Sequence, residues 1–152
     1  MTHGAPWQPA VPARRVLVID DEAGIRRLTA RALGPAGFSV ALAATGRQGL
    51  SIALREPCDL VLLDLRLPDI DGEELLQRLR RERPRQAVLV SSATADRRAP
   101  ARCRSLGACG YLPKPFTLAQ LIQSITATCP QPRPPEGDGG GDRAVAAGDA
   151  GP

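Results

Sequence analysis

Three short segments constrain this chain more than anything else in it. VLVI (16–19), LVLL (60–63) and AVLV (87–90) are apolar at every position. A strand with one wet face alternates apolar and polar residues, so unbroken runs of this length mark strands buried on both sides. With their flanks they read RVLVID (15–20), DLVLLD (59–64) and QAVLVSS (86–92), and two further strands are predicted at FSVALA (38–43) and GYLP (110–113). The segments between them carry helical periodicity. Residues 23–38 put Ile25, Leu28, Ala32 and Leu33 on one face and end at GPAG; residues 46–57 turn Leu50, Ala53 and Leu54 inward. Residues 72–84 stop at Pro84, and residues 98–107 form a short, weakly patterned helix that tolerates Pro100 only in its first turn. Residues 117–129 begin at Thr117 as N-cap and face Leu118, Leu121, Ile122 and Ile125 inward. The expectation is an α/β fold, a five-stranded parallel sheet flanked by five helices in a three-layer sandwich.

A chain of 152 residues is long enough for one domain with a real core, and 43% hydrophobic content can fill it. Residues 14–129 are expected to form that domain. Residues 1–13, with Pro6, Pro9 and Pro12, read as a flexible extension, and the Pro/Gly-rich residues 130–152 read as a disordered tail. No stretch approaches the roughly 18 apolar residues of a membrane helix. The first residues, MTHGAPWQPAVPARR, lack the apolar segment of a secretory signal, so a cytoplasmic location is expected. Cys58, Cys103, Cys109 and Cys129 lack metal-ligand spacing and His3 is the one histidine, so the cysteines read as reduced, small apolar residues. The net charge is +4, but aromatic residues make up only 3% of the chain, which leaves no platform for stacking bases. Arginines in stretches such as LLQRLRRERPR read as solvated helix faces. Nothing after residue 129 resembles a helix-turn-helix, so this chain is not expected to bind DNA.

The chemistry gathers at the strand ends. The first strand ends in Asp20-Asp21-Glu22, the third in Asp64 and the fourth in Ser91-Ser92; the fifth leads into Lys114-Pro115. Taken singly, Asp64 and Ser92 are ordinary turn residues, and Asp21 and Glu22 are acids suited to a helix N-terminus. Taken together they differ. Carboxylates converging at one end of a sheet repel unless a cation sits among them, and an all-oxygen set suits Mg²⁺. Lys114 is the one lysine among 20 basic residues, a compact point charge where this chain otherwise uses arginine. An aspartate beside a metal, a hydroxyl and a lysine is set up to attack phosphorus and form an acyl phosphate.

These residues resemble the receiver domain of two-component response regulators. The matching words are VLVIDDE (16–22), DLVLLDLRLPDIDGEEL (59–75), SSATAD (91–96) and GACGYLPKPF (107–116). The resemblance implies a flavodoxin-like fold with strand order 2-1-3-4-5. It implies Asp64 as phosphoacceptor, and a divalent-metal site from Asp21, Asp20, Asp64 and the backbone carbonyl of Arg66. It further implies Ser92 as a switch hydroxyl, Lys114 bridging phosphoryl oxygens, a cis bond before Pro115, and Tyr111 as an aromatic switch. Arg66 and Thr94 fall where the family tunes rates, and Leu67 stands where methionine is common. Asp69 and Asp71 read as solvated turn residues. The implied partners are a sensor histidine kinase or histidine phosphotransferase, and a downstream protein docking on helix 4, strand 5 and helix 5. A dimer through that face is equally open. Arg97, Arg98, Arg102 and Arg104 point to an acidic partner there.

Three other readings compete. A haloacid-dehalogenase-type phosphotransferase also uses an aspartate nucleophile and Mg²⁺, but a second acid belongs two residues on, where this chain has Arg66. A receiver-like interaction module would take no phosphate, against the intact set of Asp20, Asp21, Asp64, Ser92 and Lys114. A receiver fragment of a longer regulator is the third. On the receiver reading the protein is not an enzyme acting on an outside substrate; it promotes only its own phosphorylation and dephosphorylation.

Overall fold

The structure, a computed structural model, describes residues 13–129. The expectations for residues 1–13 and 130–152 therefore lie outside it, apart from Ala13. Ten elements alternate along the chain: β1 (Arg14–Ile19), α1 (Ala23–Leu33), β2 (Phe38–Ala43), α2 (Gly46–Arg55), β3 (Leu60–Leu63), α3 (Gly72–Glu82), β4 (Ala87–Ser92), α4 (Ala99–Ser105), β5 (Gly110–Pro113) and α5 (Leu118–Thr128). Every strand pair is parallel and the order is β2-β1-β3-β4-β5, the flavodoxin-like arrangement expected.

The unbroken apolar runs are explained by two dry faces. Leu17, Ile19, Val61, Leu63, Val88 and Val90 point to one side, into a core shared with Leu75, Leu76 and Leu79 of α3. Val16, Val18, Leu60, Leu62 and Leu89 point to the other, against Leu33 of α1 and Leu121 and Ile125 of α5. Each such side chain contributes about 1.5–3 kcal/mol on burial. The helix starts are written locally. Thr45 accepts from the Gln48 amide, Asp71 from the Glu73 amide, and Thr117 forms a reciprocal capping box with Gln120. Pro100 lies in the first turn of α4, where its missing N–H costs nothing.

Two inward assignments are corrected. Leu28 is 38% and Leu118 46% exposed. The buried residues of α1 are Thr29 and Leu33, at i+4 spacing, and Leu28 stands one 100° step off Thr29. On α5, Leu118 shares the i, i+3, i+7 face of Leu121 and Ile125, but as the first residue of the helix it stands at the exposed end of that face. Among the described residues, no helix is long and apolar enough to cross a membrane.

Candidate functional site

Main-chain bonds that prolong the sheet fix the site residues. The Asp20 amide donates to the Ala43 carbonyl at 3.1 Å, Asp64 to Ile19 at 2.9 Å, and Lys114 to Ser92 at 2.9 Å. Asp20, Asp64, Ser92 and Lys114 therefore stand at the carboxyl ends of β1, β3, β4 and β5, around the crevice where the strand order reverses.

Asp20 and Asp64 are buried, at 3% and 4% exposure, so their charges need partners. Lys114 supplies the first. Its Nζ donates to Asp20 Oδ2 at 2.7 Å, to Asp64 Oδ2 at 3.3 Å and to Glu22 Oε1 at 3.4 Å. Asp20 Oδ1 accepts from the Glu22 amide at 2.9 Å, and Asp64 Oδ1 from the Arg66 amide at 3.1 Å. Even so, burial pushes the Asp64 carboxyl above the usual carboxylate range, against the pull of the Arg66 amide and the Lys114 charge. For Lys114 burial acts downward and is outweighed by the bond to Asp20 and the charges of Asp20 and Asp64, so its pKa is raised.

Asp21 and Glu22 are exposed, and carboxylate oxygens of Asp20, Asp21, Glu22 and Asp64 all lie within 4.8 Å of one another. One ammonium does not balance four carboxylates. Like charges about 4 Å apart cost about 4 kcal/mol per pair at an effective dielectric near 20. The donor set is all oxygen, anionic and half open to solvent, which fits a hard divalent cation such as Mg²⁺ with water completing its shell.

The remaining predicted residues surround this centre. Ser92 is buried, and its Oγ accepts from the Thr94 amide at 3.4 Å. Ala93 beside it is exposed, so the approach to Asp64 carries no bulky side chain there. Arg66 is exposed, and its backbone forms an isolated bridge with Asp71. Tyr111, paired with Val90, is half-buried with its hydroxyl shielded from solvent and without a hydrogen-bond partner. The ring packs against the core on the α3 side with its hydroxyl covered, so it already points inward, and burial raises its pKa. The Lys114-Pro115 bond is cis. Beside Lys114 opens a cleft of about 300 Å³ walled by Ile25, Leu28, Ala93, Pro115 and Phe116, with Glu22 at its rim. A cleft of about 690 Å³ lies at the opposite end of the sheet, between the loops before β3 and β4, and holds none of these residues.

Two contributors escape the sequence reading. The Arg26 guanidinium donates to the Asp20 carbonyl at 2.8 Å, one turn into α1. Asp69, expected to be merely solvated, accepts from the amides of Gly46 and Arg47 at 2.8 and 2.9 Å, and these bonds, the Arg47 one foremost, hold its carboxyl below the usual range. Asp71 is likewise engaged, as the N-cap of α3. The one cue to Asp69 was indirect: α2 has no acid in its own first turn. Arg102 also differs from expectation, because Glu73 and Asp96 hold it at 2.8 and 2.7 Å.

A parallel sheet in this order, with acids and one lysine at its switch point, defines a receiver-type signalling domain. Residues 16–126 match the response regulator receiver domain, and the chain belongs to that family, the receiver of two-component systems. It is 41% identical over 113 residues to the transcriptional activator protein PfeR of Pseudomonas aeruginosa, covering 74% of this chain and 36% of that one. It is 31% identical over 116 residues to sporulation initiation phosphotransferase F of Bacillus subtilis, covering 76% of this chain and 94% of that one. Among solved structures, a CheY-like receiver domain protein of Methanospirillum hungatei superposes with a TM-score of 0.72 at 30% identity, covering 76% of this chain and 92% of that one. The chain spans 36% to 54% of the length of the first curated relatives it matches.

Proposed function

We propose that this receiver accepts a phosphoryl group on Asp64 from a histidine kinase or histidine phosphotransferase in the cytoplasm, with Mg²⁺, and passes the change to a partner protein. The observation that carries the reading is the placement of the Lys114 ammonium between Asp20 and Asp64, at 2.7 and 3.3 Å, on a buried floor of carboxylates. An oxygen of Asp64 attacks phosphorus in line; the new P–O bond forms as the bond from phosphorus to the donor's histidine nitrogen breaks, and the nitrogen keeps the electron pair. Lys114 neutralises charge on the equatorial oxygens. Asp20, Asp21, Asp64 and the Arg66 carbonyl are the groups that would hold Mg²⁺, which supplies further charge neutralisation when bound. The cleft beside Lys114, with its apolar wall of Ile25, Leu28 and Phe116, is where a donor protein can approach.

The phosphoryl group gives the Ser92 hydroxyl a new acceptor, and movement of Ser92 changes the space around Tyr111. A switch of this kind needs only a few kcal/mol of difference between two states. The change is read on α4, β5 and α5. No acidic residue occurs from Arg97 to Cys129, and Arg97, Arg98 and Arg104 are exposed. A two-fold pairing of this face would set arginine against arginine, so an acidic partner suits it better than a second copy. The protein turns over no outside substrate on this reading. Incubation with labelled acetyl phosphate tests it: label enters only with Mg²⁺ and is released by hydroxylamine. Label that enters equally in chelator, or survives hydroxylamine, would contradict it.

A further inference from the structure

The loop between β3 and α3 carries Arg66, whose carbonyl faces the metal on the proposed reading, and it is closed on itself at its base. The Gly72 amide donates to the Leu65 carbonyl at 3.0 Å, and Arg66 bridges to Asp71. Its tip, in contrast, is anchored to a different element. Asp69 spreads its carboxylate over the start of α2, Oδ1 taking the Gly46 amide at 2.8 Å and Oδ2 the Arg47 amide at 2.9 Å. These are amides that a helix leaves without intrahelical partners. The helix's own cap, Thr45, serves the Gln48 amide instead. The contact is also tight. Gly46 is buried, and a Cβ there would stand 2.0 Å from Ile70 Cγ2 and 3.3 Å from both Leu67 Cδ1 and Asp69 Oδ1. The sequence thus removes a side chain from α2 to let the loop tip sit down on it, then supplies from the loop the acid that α2 lacks.

We infer that Asp69 is a positioning residue: by capping α2 in trans, it holds the β3–α3 loop so that the Arg66 carbonyl stays aimed at the metal site, and it thereby sets Mg²⁺ affinity. The inference rests on the proposed metal site. Partners that orient metal ligands in this way cost about tenfold or more in affinity when removed.

The test is calorimetric titration of the full-length protein with MgCl₂, alongside amide hydrogen exchange at Gly46 and Arg47. Asp69→Ala should weaken Mg²⁺ binding about tenfold and expose both amides. Asp69→Asn, which keeps one acceptor oxygen and the side-chain volume, should fall between it and the wild type. Thr45→Ala, which loosens the same helix end without touching the loop, should bind Mg²⁺ within about twofold of the wild type, a margin well inside the loss expected of an orienting partner. Wild-type affinity in Asp69→Ala, with Gly46 and Arg47 exposed, would reduce Asp69 to a helix cap and overturn the inference. Equal weakening by Thr45→Ala would overturn it too, as general loosening. Asp21→Asn separates the two levels: if it abolishes binding while Asp69→Ala does not, the metal site stands and the positioning role falls. If the wild type takes up no Mg²⁺, or Asp21→Asn leaves uptake unchanged, both fall.

Discussion

Asp64 is a charged group placed where its charge is costly. Burial raises its pKa, so the folded state prefers the neutral carboxyl. A group shifted this way lends stability below its ordinary pKa and loses it as pH rises through the folded value. In chelator at neutral pH, Asp64→Asn should therefore melt a few degrees above the wild type, and the gap should close as pH falls below the ordinary carboxylate range. Thermal unfolding across pH checks this, and a gap that persists in acid would contradict the electrostatic account. Lys114 works in the alkaline direction. Its raised pKa means that its ion pairs stabilise the fold at neutral pH and are lost only as pH climbs through that raised value. Destabilisation is thus built into the site, and on the proposed reading a bound cation is what would offset it.

At the scale of elements, glycines and caps separate what the fold requires from what it tolerates. A Cβ on Gly72 would stand 2.3 Å from Leu65 Cα and 2.8 Å from the Asp64 carbonyl oxygen, both backbone, whereas one on Gly24 meets nothing within 4 Å. Gly72→Ala should cost about 3 kcal/mol or more, and Gly24→Ala should stabilise by about 0.5–1 kcal/mol; urea unfolding distinguishes them. Thr117→Ala should cost about 1 kcal/mol by removing the cap of α5. The sheet was legible because burial on both faces leaves an unambiguous record, as in LVLL of β3. Helix faces were less so. Leu28 fits a helical stripe by type, but which stripe meets the sheet depends on packing that a wheel does not encode; Leu118 is on the right stripe but at the exposed first position of its helix. Asp69 was illegible because its partners lie more than twenty residues upstream, and a single sequence shows that α2 lacks an acid without showing which residue supplies it.

For the whole molecule, charge separates two regions: acids at the crevice, and a run from Arg97 to Cys129 with no acid at all. Reversing Arg97, Arg98 and Arg104 to Glu should leave labelling of Asp64 unchanged within about twofold, since all three are exposed and exposed charges are largely screened by salt. It should also leave the protein folded, because none of the three forms an ion pair among the described residues. Loss of labelling in that variant would show that the two regions are not separable. The strand-end site was legible as a set: apart from Lys114, the one lysine of the chain, no member was distinctive alone, but the order of Asp20, Asp21, Asp64, Ser92 and Lys114 along alternating strands told where they would meet. The central claim is that they meet in order to phosphorylate Asp64. Intact-mass and peptide mass spectrometry after exposure to acetyl phosphate and Mg²⁺ should find one phosphoryl group on the wild type, located at Asp64, and none on Asp64→Ala. An unmodified wild type, or the same adduct on Asp64→Ala, would contradict the account.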